Sequence, residues 1–181
     1  MLGIDLGTAR TAIISSDGYQ DLTSSVVGYP KDVVGLQLLG KSQVFGEEAL
    51  QNPSALTLYQ PFEDGLVREA NHLNYNTAYE LLKNVIGKAS EAAGDGCACG
   101  IIGVPARASL QNKKLLSQIA KDLLDIALIV PKPFMVAYNI NKLTNSIVVD
   151  IGAGTVDICA MKGTVPHLDD LVTLTKAGDY I

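Results

Sequence analysis

The 181-residue sequence has no run of lysine and arginine, and its net charge of -5 is spread along the chain instead of gathered in a tail. Tracking a phosphate backbone takes clustered cations, so nucleic acid is not an expected partner. No apolar run reaches the roughly 18 residues that a membrane span requires. The richest stretch, Ser146 to Met161, is interrupted by Asp150 and Asp157. The start has no basic segment and reaches Asp5 at once, so no signal peptide is expected. Cysteine is scarce: Cys97, Cys99 and Cys159 are odd in number, and the Cys-Ala-Cys pair is too close along the strand for an easy disulfide. A reducing, cytoplasmic setting fits that usage. What is present is 48% hydrophobic residues, enough for a substantial core.

The apolar pattern predicts a β-hairpin first, with Leu2 to Leu6 turning at Gly7-Thr8 into Thr11 to Ser15. A third strand is expected at Ser24 to Val27, followed by a small insertion over Val33 to Gln51, where glycines mix with short apolar pairs. Tyr75, Ala78, Tyr79, Leu82, Val85, Ile86 and Ala89 recur at helical spacing and predict a helix closed by Gly94 to Gly96. Next come a strand at Ile101 to Val104, a helix capped by Ser109, and a buried strand at Ile126 to Val130. A short helix with Pro133 in its first turn then leads to an apolar strand at Ile147 to Ile151. This β-α-β-α-β order argues for an α/β layer whose helices cover the sheet. Val156 to Met161 and Leu171 to Lys176 extend it as a new meander.

One pattern occurs twice. Ile4-Asp5-Leu6-Gly7-Thr8 and Val149-Asp150-Ile151-Gly152-Ala153-Gly154-Thr155 each place an acidic, glycine-rich turn between an apolar strand and a returning one. Such a turn by itself reads as a hairpin in which the aspartate caps its own backbone. Two copies in the same setting point to two related domains, meeting near Asn141 to Asn145, with phosphate between them. Glycine lets backbone N–H groups approach a phosphate closely, which makes Gly7, Gly152 and Gly154 candidates. Thr8 and Thr155 offer hydroxyl donors and Arg10 a charge-assisted bond. Nucleotide-bound magnesium keeps several waters and takes one or two carboxylates, which makes Asp5 and Asp150 the expected metal residues, acting through water.

With both turns placed, the motif order resembles the actin, MreB, Hsp70 and sugar-kinase superfamily. The segment Leu56 to Val67, with Pro61 and Gly65 spaced as in actin and MreB, adds to the likeness. So do Ile102-Gly103-Val104-Pro105-Ala106 and Pro133 to Tyr138. Within that superfamily the sequence is most similar to the bacterial magnetosome-filament branch. The strings that carry this are Ser25 to Asp32, Gly103 to Ser109, Pro133 to Val136, Val149 to Ala160, Lys162 to Pro166 and Leu174 to Tyr180.

The resemblance implies an α/β, ribonuclease-H-like, actin-type ATPase fold, with a first domain over 1–142, an insertion at about 28–62, and the opening meander of a second domain over 143–181. It implies a cytoplasmic filament protein that binds ATP and magnesium in a cleft, assembles with itself or with full-length subunits, and aligns magnetosomes, with a magnetosome adaptor as a further partner. It places Asp157 at a position that is acidic in several relatives and so adds it to the nucleotide-binding set; the plain alternative is a polar residue on a half-exposed strand.

Two departures follow. Lys132 occupies the position of the family's catalytic glutamate, and an ammonium offers only donors to the water that a carboxylate would activate. A cation at a helix N-terminus is also disfavoured unless an anion lies close. Hydrolysis is therefore expected to be weak or absent, unless Lys132 simply points into solvent. The second departure is length, since family members run to about twice this size. Half the cleft is expected to be absent, leaving a bare β-edge in a natural paralogue, a fragment or a frameshift product. The competing functions are a phosphotransferase of the sugar-kinase or acetate-kinase type, for which no acidic base is clearly placed, and an inactive remnant.

Overall fold

A computed structural model describes residues 1–68, 72–93 and 98–178. The core begins with β1 (Leu2–Leu6), in which Leu2, Ile4 and Leu6 are buried while Gly3 and Asp5 face the other way. This period of two is what a strand imposes. β2 (Arg10–Ser15) and β3 (Gln20–Ser24) continue antiparallel, while β9 (Cys99–Val104) and β10 (Ile126–Pro131) add on the other side as parallel strands. The resulting five-stranded sheet has the order β10-β9-β1-β2-β3.

Two helices close one face of that sheet. α3 (His72–Ala93) turns Ala78, Leu81, Leu82, Val85, Ile86 and Ala89 inward, extending beyond the expected helix at both ends. α4 (Leu110–Leu123) starts at Ser109, whose hydroxyl accepts from the Asn112 N–H at 3.1 Å, and buries Leu116, Ile119 and Ala120. Leu124, just past α4, lies where a Cβ on Gly100 would sit, so glycine lets helix and sheet meet closely. The expected helix stop at Gly94 to Gly96, Cys97, and the end of the last family string at Asp179 and Tyr180 lie outside the described residues.

The single strand expected at Ser24 to Val27 is divided. β3 stops at Ser24, and β4 (Val27–Pro30) belongs to another sheet, β5-β4-β6, with β5 (Val44–Phe45) and β6 (Leu56–Tyr59). The division falls at Ser25, whose N–H donates to Ala9 O and whose hydroxyl donates to Gly7 O, so the chain is drawn beneath the first turn. The glycine-containing stretch after it is ordered as α1 (Val33–Leu39) and α2 (Gly46–Gln51). Asp32 caps α1 by accepting from Gly35 N–H at 2.8 Å. Glu47 pins α2 to β3 through Ser24 and Thr23. Val26, Val44, Ala49 and Leu56 form this unit's own small core.

α5 (Lys132–Asn139) links the first sheet to a third, β11-β12-β13, made of Thr144–Ile151, Val156–Lys162 and Leu171–Leu174. Its inner face carries Val148, Cys159, Met161 and Leu171 against Ala106 and Ala137. The expectation that Ile126 to Val130 is a buried strand is corrected, and the apolar strand β11 is likewise covered on one face only. Ile126, Leu128, Ile147, Val149 and Ile151 are exposed, because the described helices cover one face of each sheet and leave the other open. Among the described residues no helix is long and apolar enough to cross a membrane.

Ile102 is fully buried on β9 between β1 and β10, and Ile14 on β2 lies on the open face. Ile102→Ala should therefore cost about 2–5 kcal/mol, whereas Ile14→Ala should stay within about 0.5 kcal/mol. Urea denaturation of the two variants checks this, and equal losses would contradict the one-sided core.

Candidate functional site

The two acidic turns lie at the ends of β1 and β11. In the first, a Cβ on Gly7 would stand 2.2 Å from the Arg10 carbonyl oxygen, so only glycine lets the chain reverse this tightly. The turn is held from below by Ser25, which also shares a buried hydrogen bond of 2.9 Å with the Thr11 hydroxyl. In the second, the Gly152 N–H donates to Thr155 O at 2.8 Å, and Gly178 N–H closes onto Gly152 O.

The turns face each other. A Cβ on Gly154 would lie 2.8 Å from Thr8 Oγ1 and 2.9 Å from Asp64 Oδ1, so the second turn packs directly on the first. Asp64 and Gly65 form the two-residue turn between β7 (Phe62–Glu63) and β8 (Leu66–Val67), with φ of +51° and +68°. The Gly65 N–H donates to Thr8 Oγ1 at 2.9 Å. This Asp-Gly hairpin belongs to the Leu56 to Val67 segment that carries the family likeness, but its residues are not among those expected at the phosphate site. Its signal was legible, since Asp-Gly between short apolar pairs favours a turn with positive φ at both central residues.

The remaining candidates separate into open and closed groups. Asp5 is exposed on the face of β1 away from α3 and α4, and Arg10 is exposed at the start of β2. Asp150 lies half-buried on the inner face of the third sheet, directly across from Asp157. Asp157 itself is 1% exposed. Its Oδ1 accepts from the Ala106 N–H at 2.7 Å and from the Thr173 hydroxyl, and its Oδ2 accepts from the Thr155 hydroxyl at 3.0 Å. Asp157 thus lies on the covered face of its strand, with both carboxylate oxygens engaged inside the protein. It is a bracket joining the β9–α4 connection to the third sheet. Thr155 spends its donor on that bracket, whereas Thr8 accepts from Gly65 N–H and keeps its hydroxyl hydrogen for another acceptor.

Lys132 does not point into solvent. Its Nζ lies 2.9 Å from Asp5 Oδ1, and its side chain is 11% exposed where that of Asp5 is 55%. The anion needed beside a cation at a helix N-terminus is thus supplied by the protein. The stem passes Gly103, where a Cβ would stand 3.2 Å from Lys132 Cγ. Burial pushes the Asp150 carboxyl above the usual carboxylate range. The Lys132 ammonium pulls it back down, while Asp5 and Asp157 push it up. Among the described residues no group of three or more histidine, cysteine or acidic side chains is placed to hold a metal.

Asp157→Ala would leave the buried Ala106 N–H and two hydroxyls without their acceptor, at a cost of about 1–3 kcal/mol or more. Asp157→Asn, which keeps one acceptor oxygen, should lose less, and urea denaturation that ranks the two alike would remove the bracket role. Asp150 has the opposite sign. With its folded pKa raised, its contribution is fully present below the unfolded pKa and is lost as pH rises through the folded one. Asp150→Asn should therefore raise Tm more at pH 7 than at pH 4, which a pair of thermal melts would show.

Comparison with known proteins agrees with this geometry. The family model described as MreB/Mbl protein matches residues 1–178. The actin-like protein MamK of Magnetospirillum gryphiswaldense is 53% identical over 180 residues, covering 99% of this chain and 50% of that protein. The chain thus spans about half the length of the curated relatives it matches. Among solved structures, a MamK double helical filament superposes with a TM-score of 0.91 at 51% identity, over 99% of this chain and 55% of the other. A non-polymerising MamK mutant bound to AMPPNP superposes at 0.81, also at 51% identity and over the same shares of the two chains. By its strand order, its paired acidic turns and a family match along nearly its whole described length, this chain belongs to the MreB/Mbl family of actin-like proteins.

Proposed function

We propose that this chain provides the phosphate-binding side of a MamK-type actin-like filament subunit. In this reading residues 1–142 make the first domain, with an insertion at about 28–62, and 143–181 begin the second. ATP phosphates lie between the turns at Asp5 to Thr8 and Asp150 to Thr155. The observation that carries the reading is the packing of Gly154 on Thr8 and Asp64, which brings two glycine-rich turns onto one spot. In this reading Gly7, Thr8, Gly152 and Gly154 contact the phosphates, and Arg10, exposed at the start of β2, offers a charge-assisted bond. Assembly with copies of itself or with full-length MamK-type subunits, in a cytoplasmic filament tied to magnetosomes by an adaptor, is supported by the likeness to the MamK filament.

Magnesium, when bound with ATP, would draw charge from the phosphates. Its expected placement by Asp5 and Asp150 through water does not fit these residues, because Asp5 is already paired with the Lys132 ammonium. Hydrolysis should be weak, since Lys132 offers no lone pair to accept a proton from water while it is charged.

The test uses the chain with full-length MamK-type filaments. It should co-sediment with them in ATP and bind a fluorescent ATP analogue, while its phosphate release stays at background. Binding without co-sedimentation would remove the filament role. Rapid phosphate release by the chain alone would remove the claim of impaired hydrolysis.

A further inference from the structure

The poor fit to magnesium leads further. We propose that the Lys132 ammonium is a built-in counter-cation at this site, so that the chain binds a nucleoside triphosphate without a divalent metal. The proposal rests on the nucleotide reading above and deepens it.

Two observations support it. The ammonium lies 2.9 Å from Asp5 Oδ1, at the end of the strand that leads into the first glycine turn. The position is also fixed. The stem is mostly buried beside Gly103, and the backbone is the first residue of α5, held by Pro131 and Pro133 on either side.

The electrostatic consequences are direct. An ammonium held beside Asp5 repels an incoming dication and occupies an oxygen it would need, directly or through water. With one N–H directed at Asp5, it also offers up to two further N–H donors, on a point charge of the kind that binds phosphate. Asp5 would otherwise repel a polyphosphate, and Lys132 offsets that charge without a metal. Magnesium-bound nucleotide would bring its dication against the ammonium, so free nucleotide should bind at least as well.

Binding of a fluorescent ATP analogue to the full chain, at constant ionic strength in excess magnesium or in EDTA, tests this. The expected result is an affinity that changes by less than about threefold on removing magnesium. Lys132→Gln, which removes the charge without adding a carboxylate, should lose about tenfold in EDTA and regain it with magnesium. Lys132→Arg should keep the metal-independent behaviour. A parallel titration with Mn2+ alone, read by water proton relaxation, should show weak binding to the unaltered chain and at least tenfold tighter binding to Lys132→Gln. Thermal melts establish that each variant is folded. An affinity that falls tenfold or more in EDTA for the unaltered chain overturns the inference and leaves the nucleotide reading standing. So does equal Mn2+ binding by the unaltered chain and Lys132→Gln. Failure to bind the analogue under either condition overturns the nucleotide reading and this inference with it.

Discussion

The buried carboxylate of Asp157 is the contact on which the arrangement of the two larger sheets depends. It accepts from a backbone N–H at Ala106, in the connection after β9, and from two hydroxyls on the third sheet. A charge taken out of water must have its lone pairs met by donors, and those donors are available only when both parts are in place. The bracket is therefore directional in a way that the apolar contact of Ala106, Ala137 and Met161 is not. It ties Thr155, in the second glycine turn, to the connection after β9. Arg107 adds to the same seam, with its N–H donating to Thr173 Oγ1 at 2.9 Å.

Around that fixed seam the charges are divided by role. Asp157 is wholly engaged within the protein, while Asp5 is mostly open and Asp150 lies between. Lys132 stands beside Asp5 at the start of α5, a helix that touches both the first and third sheets. Its ammonium neutralises part of an acidic cluster that would otherwise repel a polyphosphate. The cost of a cation at a helix N-terminus is offset by Asp5 at hydrogen-bond distance.

Much of this was readable in the residues. The doubled Asp-x-Gly pattern located the turns, and the helical period of α3 and the Ser109 cap of α4 were visible because each depends on neighbours along the chain. The division of the third strand at Ser25 was not, since its cause is a hydrogen bond to Gly7, 18 positions away. Nor was the buried bridge from the Asn112 side chain to the Val67 backbone, where a polar residue on an inward helical face completes a strand edge. Apolar composition also overstated burial in β10, because it cannot tell which face of a strand another layer covers.

The sequence by itself determined the elements, the two glycine turns and the lysine at the start of the short proline-containing helix. Those follow from local chemistry: periodicity, turn geometry and residue type. The tertiary structure alone decided that Gly154 rests on Thr8 and Asp64, that Asp157 is a bracket, and that Lys132 reaches Asp5. Each of these joins residues far apart in the chain. Their energies depend on distance and burial, which exist only once the sheets have packed.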